Sequence, residues 1–333
     1  MSLRDYPISI APMMKRTDRH FRYVMRQLTK KTLLYTEMVT TGAVIHGDRD
    51  RLLGFDALEH PIALQLGGSC PKELQEAAKI GADYGYDEIN LNVGCPSDRV
   101  QNNSIGACLM REPDRVARAV EALRGAVDLE VTVKHRIGVD ELDRYEDMLN
   151  FVDTVSRAGC VRFTVHARKA WLEGLSPKEN RNIPPLRYDE VYRLKQERPE
   201  LEIEINGGIR SHDAIAQHLQ KVDAVMIGRA AYDDPYLFAE IDQRYFGKKS
   251  PVVTRHDAIR ALYPYIEERL SHEGTKLSHI TMHLLQFFSG QPGGRRWRRH
   301  LSENAFREGA SFDVVEEALQ LVPERSPATL PVS

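Results

Sequence analysis

Nowhere does this chain carry an apolar run near the ~20 residues that a membrane-spanning helix needs. The N-terminal MSLRDYPISI also lacks the apolar core of a secretory signal, so a cytoplasmic protein with no membrane partner is expected. An excess of charge of either sign is missing too: 46 Lys and Arg against 48 Asp and Glu leave a formal net charge of -2. The molecule as a whole therefore exerts no pull on nucleic acid, and any such binding must come from a local patch. Cysteine is scarce. Cys70, Cys95, Cys108 and Cys160 show no CxxC spacing and no nearby histidine pair, which argues against a zinc site, any other metal site of that kind, or a disulfide framework.

What is present is a rhythm. Eight short apolar, β-branched runs recur: ISIAPM, LLYTEMV, PIALQLG, EINLNVG, EVTVKHRIG, RFTVHAR, EIEINGGI and AVMIGR. Most read as near-continuous apolar strands covered on both faces. Between them, PKELQEAAKIGADYG, EPDRVARAVEALRGAV and SHDAIAQHLQKV return apolar residues every three or four positions, with Gly or Pro at their ends. Strand and helix alternating in this way predict an α/β chain, a (β/α)8 TIM barrel over residues 1–247. A doubly wound open sheet is the competitor, but it usually carries a GxGxxG turn after its first strand, and none is found. After YFGKKSPVV no strand-like run follows. RHDAIRALYPYIEERLSHEG, KLSHITMHLLQFFSG, RRWRRHLSENAFREG and SFDVVEEALQLV predict a small all-helical domain over residues 248–324, with a disordered tail at 325–333.

In such a barrel the chemistry gathers at the C-terminal ends of the strands. Here those ends are polar: Met13, Glu37, Gln65, Asn90 and Asn92, Lys134 and Arg136, His166 and Arg168, Asn206, and Arg229. One buried Lys or His is commonly a structural residue. So many converging on one mouth need another account, because each buried polar group left unpaired costs about 1–3 kcal/mol. A planar polar ligand would pair them. NGGI and IGRA close the last two strands, where barrels commonly hold a phosphate on backbone N–H groups; Gly207, Gly208 and Gly228 would allow close approach, and Arg229 would supply charge. Tight turns with no ligand explain either glycine run equally well.

Taken together, IAPMM, LYTEMVTTGA, LQLGGS, YDEINLNVGCPSDRVQ, GACLM, VTVKHRIG, HARKAW, GLSPKENR, NGGI, VMIGRAAYDDPYLF and GQPGGRRWRRHLSENA resemble the tRNA-dihydrouridine synthases, in particular their bacterial A-type branch. The resemblance covers nearly the whole chain. It implies an FMN-binding barrel with a helical tRNA-binding domain that reduces uridine to dihydrouridine in the D-loop, NADPH being the reductant. On the same ground Pro12 and Met13 lie beside the flavin ring, Gln65 and Lys134 bond its polar edge and His166 contacts it. Asn206, Gly207, Gly208, Gly228 and Arg229 hold its phosphate, and Cys95 in NVGCP donates the proton. Asn92, Lys178, Arg181, Arg295 and Arg298 match tRNA-binding positions.

The residues bear on these expectations independently. A thiol with an ordinary pKa of ~8.5 keeps its proton at neutral pH, where a carboxylic acid would have lost it. Cys70, Cys108 and Cys160 read instead as small buried hydrophobes. Between Lys276 and Gly309 six Lys/Arg face only two Asp/Glu, and GGRRWRRH sets four arginines around Trp297. That is a local basic patch, opened by glycines that would suit phosphate contacts. One departure from the family pattern is Lys15 and Arg16 after APMM, where many relatives carry an acidic and an aromatic residue. A flavin barrel acting on a free pyrimidine would not need the basic helices, and a tRNA-binding protein without catalysis would not need the polar mouth. A monomer is expected.

Overall fold

A computed structural model of the chain describes residues 5–97, 105–249, 251–272 and 274–324. The tail expected at 325–333 lies outside the described residues. The chain divides into two compact units, Met1–Lys15 with Thr32–Gly228, and Arg16–Lys31 with Arg229–Ser333.

The first unit is built on parallel strands: β1 (Ile8–Ile10), β2 (Leu34–Tyr35), β3 (Val39–Thr40), β4 (Ile62–Gly67), β5 (Glu88–Val93), β6 (Glu130–Arg136), β7 (Arg162–His166), β8 (Glu202–Asn206) and β9 (Ala224–Ile227). Their order is β1-β9-β8-β7-β6-β5-β4-β2, and β3 extends the β2 edge by pairing with β4. The ring closes where Ile10 N–H donates to Leu33 O (2.9 Å) and Leu33 N–H donates to Ile8 O (3.2 Å). The eight-stranded α/β barrel expected from the sequence is therefore the fold.

The intervening helices form where the apolar spacing placed them. Pro71–Asp83 and Pro113–Ala126 both begin on a proline, which has no N–H to leave unpaired in a first turn. Pro113–Ala126 buries Val116, Ala119, Val120 and Leu123 on one stripe. At His212–Leu219 the side chain of Ser211 caps the helix by accepting from Ala214 N–H.

The strands are less uniformly apolar than their burial suggests. In β5 to β8 polar residues alternate with apolar ones, and the polar set points into the barrel. Glu88 on β5 accepts from Arg162 Nη1 on β7 (2.9 Å), Tyr35 Oη on β2 (2.8 Å) and Thr132 Oγ1 on β6 (2.6 Å). Glu204 on β8 accepts from Ser9 Oγ on β1 and Thr164 Oγ1 on β7, both at 2.6 Å. Bonds between non-neighbouring strands can only cross the interior. The alternate residues face the helices, as His135 does in packing on Phe151 (5.0 Å between rings). This floor of paired charges and hydroxyls sits one layer below the strand ends and fixes them from beneath.

In the second unit helices include Arg19–Leu28, Arg255–Arg260, Tyr263–Leu270, Gly294–Asn304 and Phe312–Gln320. Pro264 splits the first predicted helix of this region in two, since it sits in the opening turn of Tyr263–Leu270. Trp297 anchors the core: it is fully buried, donates Nε1–H to Leu284 O (2.9 Å), and meets Phe288 edge-on at 4.9 Å. No helix among the described residues is long and apolar enough to cross a membrane.

Candidate active site

The strand ends of the first unit form one linked polar surface. Gln65 Nε2 donates to Asn90 Oδ1 (2.8 Å), and Asn92 Nδ2 donates to Gln65 Oε1 (2.9 Å). Asn90 in turn donates to Thr132 Oγ1 (2.7 Å), tying the surface to the floor below. Parallel register sets Asn92 beside Lys134, Arg136 beside His166, and His166 beside Asn206. Lys134 Nζ donates to Asn206 Oδ1 (3.2 Å), whose Nδ2 donates to Met226 O (2.8 Å).

Cys95 lies just past β5, half-buried. Asn92 Oδ1 accepts from both Gly94 N–H (3.1 Å) and Cys95 N–H (3.0 Å), so the turn that presents the thiol is folded around the Asn92 side chain. Ala107 N–H donates to Cys95 O (2.9 Å), so the main chain is held on both sides of Cys95. Two cations stand close. Burial brings the Lys134 ammonium down to about 8, Arg136 repels it further, and Glu204 and Cys95 favour its charge. Burial likewise lowers the Arg136 guanidinium to about 10.

The glycines of the mouth divide by cause. Gly207 and Gly208 have φ of 125° and 73°. A Cβ on Gly207 would stand 2.8 Å from Leu186 Cδ2 and 2.9 Å from His166 Cδ2, and one on Gly208 would stand 2.6 Å from Leu186 Cδ1. Backbone conformation and packing already require both. Gly228 differs: a Cβ there would meet only Ala11 Cβ, at an ordinary 3.6 Å. Among the described residues nothing excludes a Cβ at Gly228.

The remaining expected positions are distributed between the units. Pro12 and Met13 follow β1, half-buried. Lys178 and Arg181 are exposed at the short helix Glu179–Arg181 of the first unit. Arg229 opens the helix Arg229–Asp233 in the second unit, where Arg295 is exposed and Arg298 half-buried on Gly294–Asn304. Gly293 and Gly294 ahead of those arginines answer to packing: added Cβ atoms would come within 2.5 Å of Leu321 O and 2.1 Å of Phe288 O. Of the two residues that depart from the family pattern, Lys15 bonds through its N–H to Glu37 Oε1 at φ 61°. Arg16 lies over the Tyr232 ring at 4.4 Å and 3.9 Å from Asp233.

The cysteine expectations need one correction. Cys160 is buried, with its thiol pushed up to about 12, and burial also raises half-buried Cys108. Cys70, however, is exposed. It occupies the cap position before Pro71, outside the helix it precedes, so its apolar sequence neighbours do not cover it. The sequence reading also passed over Asn180, Tyr188 and the Glu88–Arg162 pair. Tyr188 Oη donates to Gly207 O (2.7 Å) and so fixes the glycine turn. The polar members of β5 to β8 recur at every second position, which was the available sign of the floor.

A family model described as Dihydrouridine synthase (Dus) matches residues 9–323. The chain belongs to the dihydrouridine synthase family. Among its relatives, a tRNA-dihydrouridine(20/20a) synthase of Synechocystis sp. is 60% identical over 314 residues, 94% of each chain. That of Vibrio cholerae is 57% identical over 95% of this chain and 96% of its own. That of Escherichia coli K12 is 55% identical over 95% of this chain and 92% of its own. These relatives match 94–95% of this chain, and the family model reaches from residue 9 to residue 323.

Proposed function

We propose that this dihydrouridine synthase reduces uridines in the D-loop of transfer RNA to dihydrouridine, using FMN reduced by NADPH, with Cys95 as the proton donor. The observation that carries the reading is the placement of Cys95: its backbone N–H is held by Asn92, at a strand-end surface that also presents Lys134, Gln65, Asn206 and His166. The relatives' names support the substrate.

The mouth fits the flavin. Lys134 is a desolvated cation whose hydrogen-bond partner is the neutral Asn206, so an electron-rich ring edge would complete its pairing. Gly228 leaves open the space a Cβ would fill, as a backbone cradle for a phosphate requires. Gln65 and Lys134 would bond the ring edge, Pro12, Met13 and His166 would flank it, and Asn206, Gly207, Gly208 and Gly228 would hold the phosphate end, with Arg229 next in the chain. When bound and reduced, FMN would supply the hydride for carbon 6 of the uracil. Cys95 then gives its Sγ proton to carbon 5, where the electron pair of the broken double bond collects. Asn92 keeps the thiol-bearing turn in place while this happens.

Because the target base must leave its stack, the RNA has to be gripped firmly, and Lys178, Arg181, Arg295 and Arg298 are the proposed phosphate contacts. The test is Cys95→Ala. It should keep its FMN and its reduction by NADPH while losing dihydrouridine formation on unmodified tRNA by a factor of roughly 100 or more. Near-normal single-turnover reduction of tRNA would overturn the assignment of Cys95.

A further inference from the structure

Arg136 closes β6 and is 3% exposed. Its hydrogen-bond partners are main-chain carbonyls: Nε donates to Gly94 O (2.9 Å), and Nη1 donates to Lys169 O (3.0 Å) and Asn180 O (3.1 Å). These carbonyls belong to three separate stretches of chain. Gly94 directly precedes Cys95, Lys169 lies in the turn after β7, and Asn180 sits in the short helix that ends on Arg181.

The far end of this clamp is cross-linked by one side chain. Asn180 is fully buried, its Nδ2 donates to Trp171 O (2.8 Å) and Leu175 O (3.0 Å), and its Oδ1 accepts from Trp171 N–H (2.8 Å). The Asn180 side chain therefore cross-links residues 171–181, and Arg136 ties that segment to the Gly94–Cys95 peptide, whose N–H donates to Asn92 Oδ1. A planar guanidinium can span three carbonyls at fixed angles; an ammonium on a flexible stem cannot. Burial, the largest effect, and then Arg181 and Arg168 disfavour the charge of this guanidinium, and the three carbonyls are its compensating partners.

We propose that Arg136 is a positioning residue that couples the RNA-facing segment 169–181 to the placement of the Cys95 thiol. An RNA phosphate settling on Lys178 and Arg181 would firm the segment, and the clamp would pass that restraint to the Cys95 turn. This rests on the function proposed above, both for the acid role of Cys95 and for the phosphate contacts.

The experiment measures iodoacetamide alkylation of Cys95, resolved by peptide mass spectrometry, in the full-length flavin-loaded protein. Asn180→Ala, which alters no group touching Cys95, should change the Cys95 alkylation rate about threefold or more, as should Arg136→Lys. The double variant should change it no further than the stronger single variant, because both cut the same link. Rates in Asn180→Ala within experimental error of wild type, or effects that multiply in the double variant, would overturn the coupling. If Arg136→Lys does not fold, Asn180→Ala still decides the matter, and its melting curve with unchanged flavin content shows whether it is native.

A kinetic arm separates positioning from bulk damage. Arg136→Lys should slow reoxidation of the reduced enzyme by saturating tRNA about tenfold while leaving NADPH reduction of the flavin within about twofold. Equal losses in both half-reactions would mean a general structural defect and would overturn the proposal. Should Cys95→Ala retain tRNA reduction, the functional reading falls, whereas the alkylation cycle still reports the mechanical link.

Discussion

Lys134 offers a prediction whose sign and size both follow from its surroundings. Burial brings its ammonium from an ordinary 10.5 to about 8, with Asn206 Oδ1 as its hydrogen-bond acceptor. If the charged form bonds the flavin edge, binding favours the proton and raises this pKa in the complex. FMN affinity is then full below about pH 8 and falls above it, by up to tenfold per pH unit, as the free protein loses the proton. A charge-assisted hydrogen bond contributes ~1.5–3 kcal/mol, so Lys134→Met should weaken FMN about 10- to 150-fold at pH 7 and remove the inflection. Flavin fluorescence quenching on titration with apoprotein, from pH 7 to 9.5, measures both; the phosphate, with a second pKa of ~6, is ionised throughout that range. Stability of the apoprotein runs with the opposite sign. Between about pH 8 and 10.5 the unfolded chain binds the extra proton, so this group makes stability rise with pH over that window. A wild-type affinity flat through pH 9.5, or an inflection that survives in Lys134→Met, would refute the reasoning.

Gly228→Ala should leave apoprotein stability unchanged or raised by ~0.4–1 kcal/mol, because a Cβ there meets only Ala11, yet weaken FMN about tenfold or more; undiminished affinity would mean that no phosphate approaches that backbone. Glu88→Ala takes from the buried Arg162 its 2.9 Å partner, leaving Glu202 at 3.6 Å, and takes from Tyr35 and Thr132 their acceptor; it should cost ~3–5 kcal/mol in urea unfolding, a loss under ~1.5 kcal/mol showing that the floor contributes little. Changing Arg295 and Arg298 together to Ala should reduce the slope of log affinity for tRNA against log salt by ~1.4–1.8 with FMN content intact, and an unaltered slope would remove both from the phosphate contacts.

The barrel was legible because its determinants are local. Apolar spacing marked the helices, Pro71 and Pro113 opened two of them, and the runs from ISIAPM to AVMIGR marked the strands. Strand ends such as Gln65, Lys134 and Asn206 could be named as candidate site residues because a closed parallel barrel carries every strand end to one mouth. Family resemblance added roles, and the match over residues 9–323 establishes the family itself.

Other features depend on distance in the chain and could come only from the folded molecule. Glu88 meets Arg162 across 74 positions and Arg136 meets Gly94 across 42, pairings that closure of the ring creates and that no local spacing encodes. Cys70 and Cys160 look alike in sequence, but one is exposed just ahead of a helix and the other lies in the interior. Gly207 and Gly228 look alike too; Leu186 and His166 crowd the first, whereas a Cβ on the second would meet Ala11 at an ordinary contact distance. The sequence by itself determined which elements form and which residue types end them. Tertiary structure decided which of those residues touch, because contact energies act through space and the barrel alone sets which distant positions share it.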